Sequence, residues 1–168
     1  EVVCYEHRKG GVAKATRTHN LGVALAGRDK RVLAVDLDPQ SNLTMGQGLG
    51  PEDLERSMFD VLVHKVTIEE IIVSCEIDLA VSSIDLAGAE LAMSSMIGRE
   101  RALQKALLPM RSNYDYILID TPPSLGLLTI NALTAADGVI VPVQCEYLSL
   151  RGLIQLENTL AMIRGNLN

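Results

Sequence analysis

Arg8-Lys9-Gly10-Gly11-Val12-Ala13-Lys14-Ala15-Thr16 joins a short apolar run, Val2 to Tyr5, to a helical pattern that sets Leu21, Ala24 and Leu25 on one face. A glycine-rich turn between a strand and a helix N-terminus is how proteins hold phosphate. Glycines let backbone N–H groups turn toward an anion, the helix dipole favours negative charge, and a lysine at the helix start neutralises phosphate oxygens. Lys9 and Lys14 stand five residues apart with Gly10-Gly11 between them. The strict P-loop pattern G-x-x-x-x-G-K-[ST] fails at Arg8, Ala13 and Ala15. Loop and position therefore predict a phosphate site with an altered interior.

Outward from this loop, strand and helix patterns alternate. Val2–Glu6 reads as the first strand, and Lys14–Ala26 as a helix closed by Gly27. Arg31–Asp36 is the second strand, apolar at every position from Val32 to Val35, and Ile77–Ile84 a more amphipathic third. Helices are expected over Leu86–Met96 and Arg99–Met110. Tyr116–Asp120 reads as the fourth strand, Leu127–Ala136 as a helix, Gly138–Val143 as the fifth strand and Leu148–Ile163 as the last helix. From Gln40 to Lys65, Gly46, Gly48, Gly50 and Pro51 break the chain into loop and short helices. Continuous apolar strands separated by helices are covered on both faces. The fold class is α/β, a three-layer α/β/α sandwich with a mostly parallel sheet of P-loop NTPase type.

The composition suits one domain over residues 1–168. At this length about 70% of the unfolded surface is removed on folding. The 48% apolar and 21% charged fractions are ordinary for a globular protein. With Phe59 the single Phe and no Trp, the aliphatic residues must fill the interior, and Met45, Met58, Met93, Met96, Met110 and Met162 read as gap fillers. No apolar run approaches the ~20 residues of a membrane span. No charged-then-apolar signal segment opens the chain, and the missing initiator Met suggests a trimmed or partial chain. Cys4, Cys75 and Cys145 are odd in number and far apart, which predicts reduced thiols in the cytoplasm and no zinc or iron–sulfur site. A net charge of −6 leaves no electrostatic footprint for nucleic acid here.

In parallel α/β sheets ligands sit at the carboxyl ends of the strands. Three polar features fall there: the glycine-rich loop, Asp36-Leu37-Asp38-Pro39-Gln40 after the second strand, and Asp120-Thr121-Pro122-Pro123 after the fourth. Acids on two strands beside a phosphate loop suit Mg²⁺-phosphate chemistry, since Mg²⁺ takes oxygen ligands and keeps waters that nearby carboxylates hold. His7 reads as a local hydrogen-bonder, His19 and His64 as helix surface, and Glu69-Glu70 as a helix-start charge pair.

These motifs resemble the ParA/Soj family of chromosome and plasmid partitioning ATPases, deviant-Walker P-loop proteins related to MinD and nitrogenase iron protein. The family's opening K-G-G-V-G-K-T-T is matched by Lys9-Gly10-Gly11-Val12, Lys14 and Thr16, and its V-D-L-D-P-Q by Val35 to Gln40. Ser82 to Glu90, Ile97-Gly98-Arg99-Glu100, Tyr114 to Gly126 and Pro142 to Tyr147 follow its wording as well. Asp120-Thr121-Pro122-Pro123-Ser124-Leu125-Gly126 favours the Soj branch over MinD. The resemblance covers nearly the whole chain and about two thirds of the family's domain, so the chain reads as C-terminally truncated.

The resemblance implies ATP and Mg²⁺ as ligands. It casts Lys9, Lys14 and Asp38 as catalytic: Lys14 on the β and γ phosphates, Lys9 reaching the partner's nucleotide across an ATP-sandwich homodimer, and Asp38 orienting the attacking water. The backbone of Gly10, Gly11, Val12, Ala13, Lys14 and Ala15 would cradle phosphate, and Thr16 would touch the α-phosphate. Asp36 would lie near the metal shell and Asp120 would hold a Mg²⁺-bound water. Ala15 departs from the family's Mg²⁺-ligating Thr, and Thr16 is rotated from it by about 100°. Ala13 replaces a glycine, and His7-Arg8 the usual Asn-Gln. The readings left open are an ATP-driven partitioning switch stimulated by a ParB-type partner, a nucleotide-binding or interaction module that has lost hydrolysis, and a MinD-like membrane-cycling ATPase. In the first, the protein is cytoplasmic and nucleoid-associated, and its DNA-binding surface lies outside this segment.

Overall fold

Uninterrupted apolar runs at Val32–Val35 and Ile117–Ile119 give two strands buried on both faces, and they form the middle of one sheet. A computed structural model describes residues 1–6, 14–142 and 147–166, with the backbone alone for 14 and 147–153. Its strands are β1 (Val2–Tyr5), β2 (Val32–Asp36), β3 (Ile72–Ser74), β4 (Asp78–Ala80), β5 (Tyr116–Asp120) and β6 (Gly138–Ile140). Its helices are α1 (Lys14–Ala26), α2 (Asn42–Gly46), α3 (Ala89–Ala92), α4 (Ala102–Leu107), α5 (Leu127–Ala135) and α6 (Tyr147–Asn166). The sheet order is β3-β4-β2-β5-β1-β6, parallel throughout except for β3 on β4. Helices cover both faces, giving the expected three-layer sandwich.

The packing of α1 fixes which side chains share its face. A Cβ on Gly22 would meet Ile77 Cδ1 at 2.4 Å, Leu118 Cδ1 at 3.6 Å and Val32 Cγ1 at 3.6 Å, so α1 lies close on β5 and β2 and has no room for a methyl there. Side chains alternate along a strand, so Ala34, Asp36, Tyr116 and Asp120 share that face with Val32 and Leu118. Leu33, Val35, Ile117 and Ile119 point the other way, all buried, beneath the layer where α4 and α5 pack together.

The helix Lys14–Ala26 and the strand Tyr116–Asp120 form as expected. The third expected strand, Ile77–Ile84, is ordered only over Asp78–Ala80. Beyond it the backbone bonds elsewhere: the Val81 N–H donates to the Ile71 carbonyl, the Val81 carbonyl accepts from the Met58 N–H, and the Ser82 N–H donates to Thr44 Oγ1. The antiparallel edge strand β3 follows directly on a 3₁₀ turn at Ile68–Ile71 that holds Glu69 and Glu70 in its first turn. The helix expected over Leu86–Met96 is a 3₁₀ turn, Ile84–Gly88, running into the four-residue α3. That expected over Arg99–Met110 breaks at Pro109, whose ring excludes the i−4 carbonyl and which donates no hydrogen bond. β6 ends at Ile140, two residues before Pro142. Met58, Met93 and Met110 fill the core as expected, whereas Met45 and Met162 are exposed.

Candidate functional site

Strand register brings three side chains into one row. Tyr5 of β1 pairs with Asp120 of β5, and Asp120 pairs with Asp36 of β2. Neighbouring strands are about 4.8 Å apart, so the two acids stand side by side on the α1 face at the carboxyl ends of their strands. Each is almost wholly buried. β1 also ends at this side of the sheet, and Lys14 opens α1.

The loop after β2 is held by its own acids. Asp36 accepts hydrogen bonds from the Thr44 N–H at 2.9 Å, the Thr44 hydroxyl at 2.8 Å and the Asp38 N–H at 3.2 Å. Burial pushes the Asp36 carboxyl up to about 6. The hydrogen bonds from Thr44 and Asp38 act against that rise, and the neighbouring Asp38 charge adds to it. Asp38 Oδ1 accepts from the Gln40 N–H at 3.0 Å, and the Asp38 carbonyl accepts from the Ser82 hydroxyl at 2.9 Å. Thr44 thus binds Asp36 with its hydroxyl proton while its oxygen accepts from Ser82. Asp36, Thr44, Ser82 and Asp38 form one buried network that ties the loop after β2 to the end of β4.

Around β5, the Leu37 N–H donates to the Asp120 carbonyl at 2.9 Å, and the Thr121 hydroxyl donates to the Tyr5 carbonyl at 2.7 Å. The loop then climbs through Pro122-Pro123 to Gly126. A Cβ there would lie 2.1 Å from Glu90 Oε1, which accepts from the Leu128 N–H at the start of α5. The glycine of the Asp120–Gly126 motif is thereby explained as a close approach of Glu90.

Lys9, Gly10, Gly11, Val12 and Ala13 lie outside the described residues, as do His7 and Arg8, and of Lys14 only the backbone is described. Ala15 is half-buried and packs against the core, while Thr16 is exposed. The two side chains therefore leave the helix in different directions, as the rotation between neighbouring helical positions requires. Asp36, Asp38 and Asp120 come together at one end of the sheet. Among the described residues no three His, Cys, Asp or Glu side chains cluster as a metal site by themselves.

Sequence reading missed Thr44 and Ser82, which hold the acids in place, and Glu6, which is fully buried just past β1. Their signal was position, since Ser82 and Glu6 each follow a strand at its carboxyl end. Thr44 gave none beyond its distance from Asp36. His64 is exposed as expected and bonds Asp60 at 3.0 Å. His19 is a correction: it is half-buried and links Gln47 at 2.9 Å to Glu76 at 3.1 Å, joining α1 to the segment after α2.

A model of the AAA domain family matches residues 1–168. The sporulation initiation inhibitor protein Soj of Bacillus subtilis is 48% identical over 171 residues, which cover 100% of this chain and 68% of Soj. The chain belongs to the ParA/Soj family. The chromosome partitioning protein ParA of Myxococcus xanthus is 41% identical across 99% of the chain, which spans 60% of that relative. Among solved ParA-like folds, a structure from Mycobacterium smegmatis named cobyrinic acid a,c-diamide synthase superimposes with a TM-score of 0.95 at 43% identity. It covers all of this chain and 70% of its own, and it holds an ATP analogue and magnesium. A plasmid partition protein from Borrelia burgdorferi matches with a TM-score of 0.86 at 25% identity over 98% of the chain and 74% of its own. Among the described residues no helix is long and apolar enough to cross a membrane.

Proposed function

We propose that this chain is the nucleotide-binding body of a ParA-like ATPase that acts as an ATP-driven partitioning switch. The observation that carries the reading is the row of Asp36 and Asp120 at the carboxyl ends of β2 and β5, on the face covered by α1. The donor set fits a magnesium nucleotide: Asp36, Asp38 and Asp120 offer hard carboxylate oxygens, and a cation beside them favours the charged form of the buried Asp36. Bound magnesium would supply charge neutralisation at the phosphates.

The chain's own groups do the rest. Lys14 and the backbone from Gly10 to Ala15 hold the β and γ phosphates, and Thr16 touches the α-phosphate. Asp38 accepts a hydrogen bond from the attacking water and sets its line of approach. Asp120 would hold a water of the magnesium's shell, and Asp36, clamped by Thr44, sets where the loop carrying Asp38 stands. Lys9 neutralises phosphate across a homodimer. A ParB-type partner and non-specific DNA act on the full-length protein, with DNA binding outside this segment, where 15 basic residues face 21 acidic ones.

A specific observation favours a second reading, in which the protein binds nucleotide without turning it over. Ala15 has no oxygen to give, and the exposed Thr16 does not share its direction. Phosphate release from purified protein with Mg-ATP separates the two. Turnover above background that Asp38→Ala abolishes supports the switch, and ATP binding with no turnover supports the module.

A further inference from the structure

On the side of the molecule where α4 lies, three segments wrap a cleft that contains none of Asp36, Asp38 and Asp120. A π-helical turn at Asp60–His64 and the residues after it form one wall, Met96–Arg99 the floor, and α4 the other wall. The cavity measures about 870 Å³. That volume is within the range of small-molecule sites, which are apolar with a few placed polar groups. Val61, Leu62, Ile97 and Ala106 supply much of the apolar lining, and Ile97 is fully exposed.

The charge of this cleft runs against that of the chain. Three cations, Lys65, Arg99 and Lys105, line it against one acid, Glu69, on a protein of net charge −6. Arg99 is engaged: its Nε donates to Glu100 at 3.2 Å and an Nη donates to the Ser94 carbonyl. Among the described residues neither Lys65 nor Lys105 forms an ion pair. Lys105 Nζ would lie 3.6 Å from a Cβ on Gly98, whose φ of +69° favours glycine, so its charge stands over the cleft floor. Lys65 holds a φ of +59° at the end of the π-helical turn. Such turns and left-handed non-glycine residues concentrate at functional sites.

The walls are fixed before any ligand arrives. Buried Asn131 of α5 donates to the Arg99 carbonyl at 2.8 Å and accepts from the Leu103 N–H at 3.0 Å, which pins both the floor and α4. We infer that this cleft binds a small amphiphilic anion, an apolar chain or ring system ending in a carboxylate, with the apolar part between the π-helical turn and α4 and the carboxylate on Lys65 and Lys105.

The probe is 1-anilinonaphthalene-8-sulfonate, titrated by fluorescence with Mg-ATP present at saturation and competed with decanoate. One saturable site per chain is expected, displaced by decanoate and not by decyltrimethylammonium. Lys65→Glu with Lys105→Glu should weaken the probe by about ten-fold or more, since charge-assisted contacts are lost. Both lysines are exposed, so the double variant is expected to fold. Decanoate should also move the amide resonances of Gly98, Lys105 and Ala106. Loss of the probe to Mg-ATP, unchanged affinity in the double variant, or displacement by an acidic amphipathic peptide and not by decanoate would each overturn the assignment.

Discussion

Two regions of this chain are built on opposite electrostatic plans. At the strand ends, carboxylates are buried in a hydrogen-bonded network, so Asp36 is held by Thr44 and Thr44 by Ser82. At the cleft beside α4, Lys65 and Lys105 stand exposed over an apolar lining, and the backbone beneath is tied down by Asn131. The first plan suits a ligand that brings cation and phosphate together, because the acids are aligned and their loop is fixed. The second suits a ligand that brings its own negative charge and apolar surface. A buried acid needs its network to be tolerated, whereas an exposed lysine is tolerated anywhere.

The sharpest break in the comparison comes from Lys14. Lys14→Ala should reduce ATP affinity about ten- to a hundredfold, because one charge-assisted phosphate contact is worth roughly 1.5–3 kcal/mol. It should leave anilinonaphthalenesulfonate binding at the cleft unchanged. Calorimetry and fluorescence on the same sample check both halves, and a parallel loss at the two sites would mean that they are not separate.

Asn131→Ala should act the other way round. It strands the buried Leu103 N–H and leaves the Arg99 carbonyl with the Ala102 N–H alone, which costs about 1–3 kcal/mol of stability. Urea unfolding measures this loss, and the cleft probe should weaken more than ATP does. An unchanged midpoint would show that Asn131 does not hold the wall.

Thr44→Val keeps the shape and removes the hydroxyl from Asp36 and from the Ser82 N–H, so a loss of about 1–2 kcal/mol is expected. Catalytic turnover, where present, should fall more than ATP affinity, because the variant shifts the loop carrying Asp38. Thr44→Ser should restore most of it. If Ser fails to rescue, the role of Thr44 is packing.

Gly126→Ala is the smallest effect. The new methyl meets the Glu90 carboxylate, and Glu90 is exposed and free to swing aside. A cost of at most about 1 kcal/mol is expected, mostly the lost bond to the Leu128 N–H. In a Glu90→Ala background the same change should be nearly neutral.

The sheet was legible because its central strands are apolar without interruption. Val32–Val35 and Ile117–Ile119 admit few other readings, and each runs into an acid that then falls at a strand end. The P-loop helix was legible from its periodicity and from Gly27 behind it. What escaped reading lies where tertiary bonds replace local pattern. Val81-Ser82-Ser83 looks like more strand, yet its backbone is spent on Ile71, Met58 and Thr44. Thr44 looks like one polar residue in a broken stretch, and only folding brings it to Asp36. The cleft left no motif, since its lining is assembled from three segments and its floor depends on Gly98 in a left-handed turn. Ile97-Gly98-Arg99-Glu100 was visible as wording shared with a family, with no physical role attached until the fold supplied one.

The central claim is that the carboxyl ends of β1, β2 and β5 form a magnesium-nucleotide site whose metal ligation is weakened at Ala15. Its most direct test is a calorimetric titration of ATP with and without Mg²⁺, on this chain and on Ala13→Gly with Ala15→Thr. The chain should bind one ATP, with Mg²⁺ adding little. The restored variant should gain about ten-fold from Mg²⁺, the worth of one hydroxyl ligand held in place. No ATP binding by either protein, or a Mg²⁺ dependence already as strong in the unaltered chain, would contradict the claim.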